Sequence, residues 1–190
     1  MDSKHPLSKI CICLGVLSPF SILQPSPERV EVNLAMAVEH RFRAVTHWTG
    51  SVHGPTASYG SYSREYLVQI EGKPDLIGSA APPFRGDGSL YNPEDLLLAA
   101  VSACHMLSYL AIAARAGVSV VDYSDEATAT MAFKDGKMRF VEATLHPKVT
   151  VSAGADLAQI EGFHHRANQE CFIASSLNFP VTHQPEVIVS

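Results

Sequence analysis

"NPEDLLLAAVSACHMLSYLAIAARAG", from Asn92 to Gly117, decides how this chain reads. The stretch carries its own boundaries. Asn92 suits a helix N-cap and Pro93 the first helical position, while Glu94 and Asp95 put negative charge where the helix dipole favours it. Gly117 suits the stop. Between Leu96 and Ala114 only Ser102, His105, Ser108 and Tyr109 carry polar atoms. A helix this apolar is either a core helix or a membrane span. It stands alone among amphipathic strands, and its many alanines suit close packing. The expectation is a long buried central helix in a protein with no membrane span. The open question is what a thiol, Cys104, does in its middle.

Around that helix the composition is that of a globular protein. A length of 190 residues suits one domain with a real core. Hydrophobic residues make up 46% and charged residues 17%, which argues against disorder. The net charge is −5, and no basic patch points to nucleic acid. Four cysteines (Cys11, Cys13, Cys104 and Cys171) are too few and too uneven for a disulfide-stapled scaffold. The free-thiol composition suits the cytoplasm.

Residues 1–35 differ from the rest. An apolar run from Ile10 to Leu23, broken by Pro19, precedes a Pro/Ser linker. Lys4 and Lys9 before the run and "AMA" at 35–37 resemble a secretory signal, although the run lies far from that cleavage site. Alternatively, translation starts at Met36. Composition favours a disordered extension or a misplaced start, with the folded domain at 36–190 and no chemistry at Cys11 or Cys13.

From Met36 onward the pattern is α+β. "HRFRAVTHW" (40–48) alternates like a strand with one buried face, and "REYLVQIEG" (64–72) reads as a second strand. A long loop runs from Gly72 to Pro93. After the helix, 118–133 and 137–152 read as two strands joined by the Asp-Gly turn of "KDGK". "DLAQIEGFHHRANQECF" (156–172) reads as a second, cysteine-bearing helix capped by Asp156. Ile160, Phe163, Ala167 and Cys171 form its inward stripe. A short helix and a final strand, "PEVIVS", complete a mostly antiparallel sheet covered by helices.

Both Cys104 and Cys171 thus fall on apolar helix faces. Free cysteine commonly packs as a small hydrophobe. A zinc site would combine Cys104, His105, Cys171 and His164 or His165. Against it, Cys104 and His105 diverge by roughly 100° on a helix, and structural zinc sites favour paired short spacings. No metal and no other cofactor is expected.

Two segments in order, the helix above and "CFIASSLNFPV" (171–181), resemble the OsmC/Ohr family of osmotically induced and organic-hydroperoxide-resistance proteins. The match is nearest to the OsmC-like branch, in which a histidine follows the first cysteine. The resemblance spans 36–190 and implies an OsmC-like fold, an intertwined homodimer and a cysteine-based peroxidase. Cys104 would be the peroxidatic residue, Cys171 the resolving residue, and Glu94 the carboxylate of an active-site ion pair. Arg64 matches the arginine partner best, with Arg85 and Arg43 as competitors. His105 has no counterpart in the best-known hydroperoxide reductases. The implied partners are an organic hydroperoxide and a dithiol reductant, a thioredoxin-like or lipoyl protein.

The chemistry accounts for these residue types. Only a thiolate attacks an O–O bond, burial alone opposes ionisation, and a cation oriented by a carboxylate offsets that cost. Ten residues separate Glu94 from Cys104, about 15 Å along a helix. The expectation is that the ion pair serves the cysteine of a second subunit across a two-fold axis. Two other functions fit the same residues: a non-catalytic binder of apolar small molecules, and a redox-responsive stress protein or a structural protein with inert cysteines.

Overall fold

In a computed structural model, residues 39–154 and 156–190 are described. The readings made for residues 1–35, Cys11 and Cys13 lie outside them. The stretch "NPEDLLLAAVSACHMLSYLAIAARAG" forms α1 (Pro93–Arg115). Its start is as the sequence indicates. Asn92 Oδ1 accepts from Asp95 N at 2.9 Å, and its amide donates to Asp95 Oδ2 at 2.7 Å. Gly117 follows the C-terminus at φ +74, a left-handed conformation that glycine adopts without a Cβ clash.

Ahead of α1, β1 (Val45–Trp48), β2 (Tyr66–Gln69) and β3 (Leu76–Gly78) make an antiparallel three-stranded sheet. The first two strands are shorter than the alternation suggests. The third lies inside the segment read as one long loop, because three residues are too few to show a period. The buried face expected for 40–48 is absent: Phe42 is 94% exposed and most of β1 faces solvent. Alternation marks a strand, but burial also needs a covering layer.

After α1 come β4 (Val120–Asp125), β5 (Thr128–Lys134), β6 (Lys137–Leu145) and β7 (Pro147–Val151). Each of the two long strands expected here is thus broken in two. The helices α2 (Leu157–Glu170) and α3 (Phe172–Ser175) follow, then β8 (Val181–His183) and β9 (Glu186–Val189). β4-β7-β9 and β5-β6-β8 form two sheets, antiparallel across the first pair and parallel across the second in each. Asp125 sits at the break between them. Its Oδ1 accepts from His146 N at 2.7 Å, and Ser102 Oγ of α1 donates to its Oδ2 at 2.5 Å. One carboxylate thus stitches the break and ties it to the helix. The β5–β6 hairpin turns at Asp135 and Gly136, both at positive φ, as the Asp-Gly pair predicts.

Tyr109, Ile112 and Ala113 of α1 pack with Val149 and Val151 of β7 and Ile160, Phe163 and Ala167 of α2. The central helix is buried along this one face only. Ala99, Ala100, Ala103 and Leu107, on the opposite side, are exposed, Leu107 by 62%. Among the described residues one helix, α1, is long and apolar enough to cross a membrane. Its packed face gives it the role of a core helix.

The cap of α1 yields a stability test. Replacing Asn92 with Ala leaves the Asp95 amide without its acceptor and costs about 1 kcal/mol. For a chain of this length that is roughly 2–4 °C in Tm. Thermal unfolding checks it, and an unchanged Tm contradicts the assigned cap.

Candidate functional site

Cys104 lies mid-way along α1, half-buried, on the wall of a cleft of about 690 Å³. Ala100, Ala103, Leu107 and Phe172 make the cleft apolar, and Arg115 stands at its rim. Cys171 does not line the cleft and is fully buried. Its backbone departs from the expected helix. At φ −73, ψ 109 it is extended, ending α2 and capping α3, and its sulfur accepts from Ala174 N at 3.3 Å. The inward stripe continues through the break, so the burial expected from the spacing holds although the helix does not.

Both thiols are free, and Cys104 is close enough to Cys171 to perturb its thiol. Burial, and after it the neighbouring Cys104 thiol, pushes the Cys171 thiol up, so it stays protonated at neutral pH. The two sulfurs therefore differ in kind. One is open to a cleft, and the other is a buried, protonated thiol.

Glu94 and Arg64 do not join them within one chain. Neither lines the Cys104 cleft. Arg64 donates to the carbonyls of Tyr59 and Tyr62, and its guanidinium carbon lies 3.8 Å from the centre of the Tyr62 ring. It lines a second pocket with Trp48, Tyr62 and Tyr66. Burial first, then the charges of Glu94 and Asp95, raise the Tyr66 phenol, which donates to Tyr91 O at 3.4 Å just ahead of α1. Gly78 makes room for Tyr66: a Cβ there would stand 2.3 Å from the ring. Glu94 Oε2 is buried without a partner. Among the described residues no ion pair joins Glu94 to Arg64, Arg85 or Arg43.

The residues weighed for zinc do not assemble. Among the described residues no three histidine, cysteine, aspartate or glutamate side chains are placed to hold a metal ion. His165 is exposed and bonds Gln169 at 2.9 Å. His105 and His164 are buried instead, and they face each other across the α1–α2 seam with Nε2 and Nδ1 3.2 Å apart.

Arg115, Tyr66 and His183 were not singled out from the sequence. Arg115 follows Cys104 by eleven residues, three helical turns, a spacing that marks a shared face. Tyr66 follows Arg64 by two, a shared strand face. Nothing local marks His183, which reaches the seam through β6–β8 pairing.

Residues 86–186 match the model of the OsmC-like protein family. No curated protein matches the chain significantly. Among solved structures, an OsmC-like protein of unknown function from Vibrio cholerae is 29% identical, with a TM-score of 0.71 over 77% of this chain and 99% of that one. An organic hydroperoxide resistance protein from Elizabethkingia anophelis is 17% identical, with a TM-score of 0.60 over 82% of this chain and all of that one. An OsmC-like protein from Mycoplasma pneumoniae is 12% identical, with a TM-score of 0.62 over 80% of this chain and 99% of that one. The match covers the central helix, both cysteines and the strands that follow them, and the chain belongs to the OsmC-like protein family.

Proposed function

We propose that the chain is a thiol-dependent peroxidase for organic hydroperoxides. The observation that carries this reading is the unlike pair: Cys104 open to an apolar cleft, and Cys171 fully buried beside it with its thiol pushed up by burial. Several structural relatives are named organic hydroperoxide resistance proteins. In the reaction the Cys104 thiolate attacks one peroxide oxygen. The O–O bond breaks, and the departing alkoxide takes a proton to leave as an alcohol. Cys104 is then a sulfenic acid. The Cys171 sulfur attacks it, an S–S bond forms, and water leaves with the thiol proton. An external dithiol, thioredoxin-like or lipoyl, restores both thiols by exchange. The cleft's alkyl walls favour an organic hydroperoxide over hydrogen peroxide. Such a cycle suits the cytoplasm, where dithiol reductants keep cysteines reduced.

The cation that stabilises the thiolate comes from a second copy. Three observations support this: Glu94 Oε2 is buried and unpartnered, Glu94 is about three helical turns from Cys104, and α1 has a bare stripe of Ala99, Ala100, Ala103 and Leu107. Two such stripes packed antiparallel would set Glu94 of one α1 beside Cys104 of the other. Arg64 would leave its own loop carbonyls to pair with Glu94.

A second reading, a binder of apolar molecules, draws on the size and apolar walls of the cleft. Cumene hydroperoxide separates the two. Peptide mapping under non-reducing conditions is expected to show a Cys104–Cys171 bridge within seconds, and minutes-long oxidation with retained apolar ligand favours the binder. Cys104→Ser is expected to lower dithiol-coupled peroxide consumption at least ~10³-fold. Cys171→Ser leaves a sulfenic acid that proceeds to sulfinic acid.

For the second copy, Leu107→Glu on the bare stripe is expected to yield monomers in sedimentation and to lower kcat/KM at least ~10-fold, since a lone chain lacks the ion pair. A wild-type chain that sediments as a monomer at micromolar concentration and is fully active overturns the shared site.

A further inference from the structure

His105 on α1, His164 on α2 and His183 on β8 meet in the core. The first two are 1% and 0% exposed. Their ring centres form a triangle of 5.5, 5.7 and 5.9 Å. The His105 and His164 planes are within 8° of parallel, and the rings meet through the 3.2 Å hydrogen bond between Nε2 and Nδ1. Tyr109 stacks on His164 at 4.2 Å, with Tyr123 beyond it at 5.7 Å from Tyr109. His105 Nδ1, His164 Nε2, His183 Nδ1 and both tyrosine hydroxyls have no partner. So many buried, unpaired polar atoms in one cluster are costly, and they call for a functional explanation.

The cluster shares its seam with the thiols. His105 follows Cys104 directly. His164 precedes Cys171 by seven residues, two turns of α2, about 10 Å. Whatever parts α1 from α2 at the histidines therefore parts Cys104 from Cys171. The groups facing the cluster offer a proton no refuge. On α1 and β4 they are the neutral phenols of Tyr109 and Tyr123. On α2 there is His165, whose charge would repel one on His183. The carboxylate that pulls on His105, Asp125 of β4, is held by Ser102 and His146. We propose that His105, His164 and His183 form a positioning lock that, while neutral, holds Cys104 against Cys171 and, on taking up a proton, opens the seam and uncouples the two thiols. The proposal uses the thiol contact that the peroxidase reading also uses, but it requires no peroxide turnover.

The geometry and the titration agree. Burial first, then His183, brings His105 down to about 4, against a weak opposing pull from Asp125. Burial, then His105 and His183, brings His164 down to about 3. In the unfolded chain these imidazoles titrate near 6.5. Folded values below unfolded ones mean that stability from the neutral cluster is complete above about pH 6.5 and is lost as pH falls toward 4.

Linkage supplies a test. If a proton on the lock parts the thiols, a bond between the thiols must oppose that proton by the same factor. Diamide makes the bond without peroxide: it takes two electrons and both thiol protons, becomes a hydrazine, and leaves the Cys104–Cys171 disulfide. Imidazole signals of the full chain are then titrated by NMR in reduced and bridged forms. Diamide is expected to form the bridge at pH 7. The midpoint of His105 and His164 is expected to fall by about one pH unit, a tenfold weaker proton affinity, in the bridged form. Far-UV circular dichroism is expected to stay native through the midpoint. Absence of the bridge, equal midpoints in the two forms, or loss of the dichroism at the same midpoint overturns the lock. In His164→Gln, which keeps a donor and an acceptor but cannot titrate, the shift at His105 is expected to shrink below twofold. A full shift there also overturns the lock. A chain that meets these expectations yet consumes no cumene hydroperoxide keeps the lock and refutes the peroxidase.

Discussion

The packing of α1 on α2 is the contact on which the rest of the molecule depends. Tyr109, Ile112 and Ala113 meet Ile160, Phe163 and Ala167 in one apolar seam. The same seam brings Cys104 to Cys171, sequence neighbours of nothing in common and 67 residues apart in number. It also gives them different surroundings. Cys104 looks out into the cleft, and Cys171 is shut in behind it at a helix break. An unlike pair of thiols is the minimum that a cycle of oxidation and resolution requires: one must be reached by substrate, and the other must wait with its proton.

The seam also explains why α1 is apolar all round while only one of its faces is buried in a single chain. Val101, His105, Tyr109 and Ile112 face inward, and Ala99, Ala100, Ala103 and Leu107 face out. The outward stripe is made largely of small residues, which allow close backbone approach. A second helix on that stripe is the arrangement in which Glu94 and a cation could serve Cys104, and its formation is the step that completes the proposed site.

How much was legible in the sequence follows from the length scale of each signal. The caps of α1 were legible because Asn92, Pro93 and Gly117 act within one turn. The hairpin at Asp135 and Gly136 was legible for the same reason. The inward stripe of α2 was legible through its period, and the pattern placed Cys171 inside although it could not show that the helix breaks there. The strand pairs 120–125 with 128–134, and 137–145 with 147–151, were merged because their breaks at Glu126 and His146 depend on a long-range bond to Asp125. Arg64 was chosen as the partner of Glu94 by resemblance, whereas the single chain turns its guanidinium onto the carbonyls and rings of its own loop. The histidine cluster was out of reach of local pattern, since its members come from three elements joined only by tertiary packing.

The central claim is that the α1–α2 contact makes one thiol accessible and keeps the other shielded and protonated. Limited alkylation of the reduced protein with iodoacetamide at pH 7, read cysteine by cysteine through peptide mass spectrometry, tests it most directly. Cys104 is expected to be modified at least ~10-fold faster than Cys171, whose thiol is both buried and held in its unreactive form. Equal rates, or faster modification of Cys171, would contradict the assignment of roles.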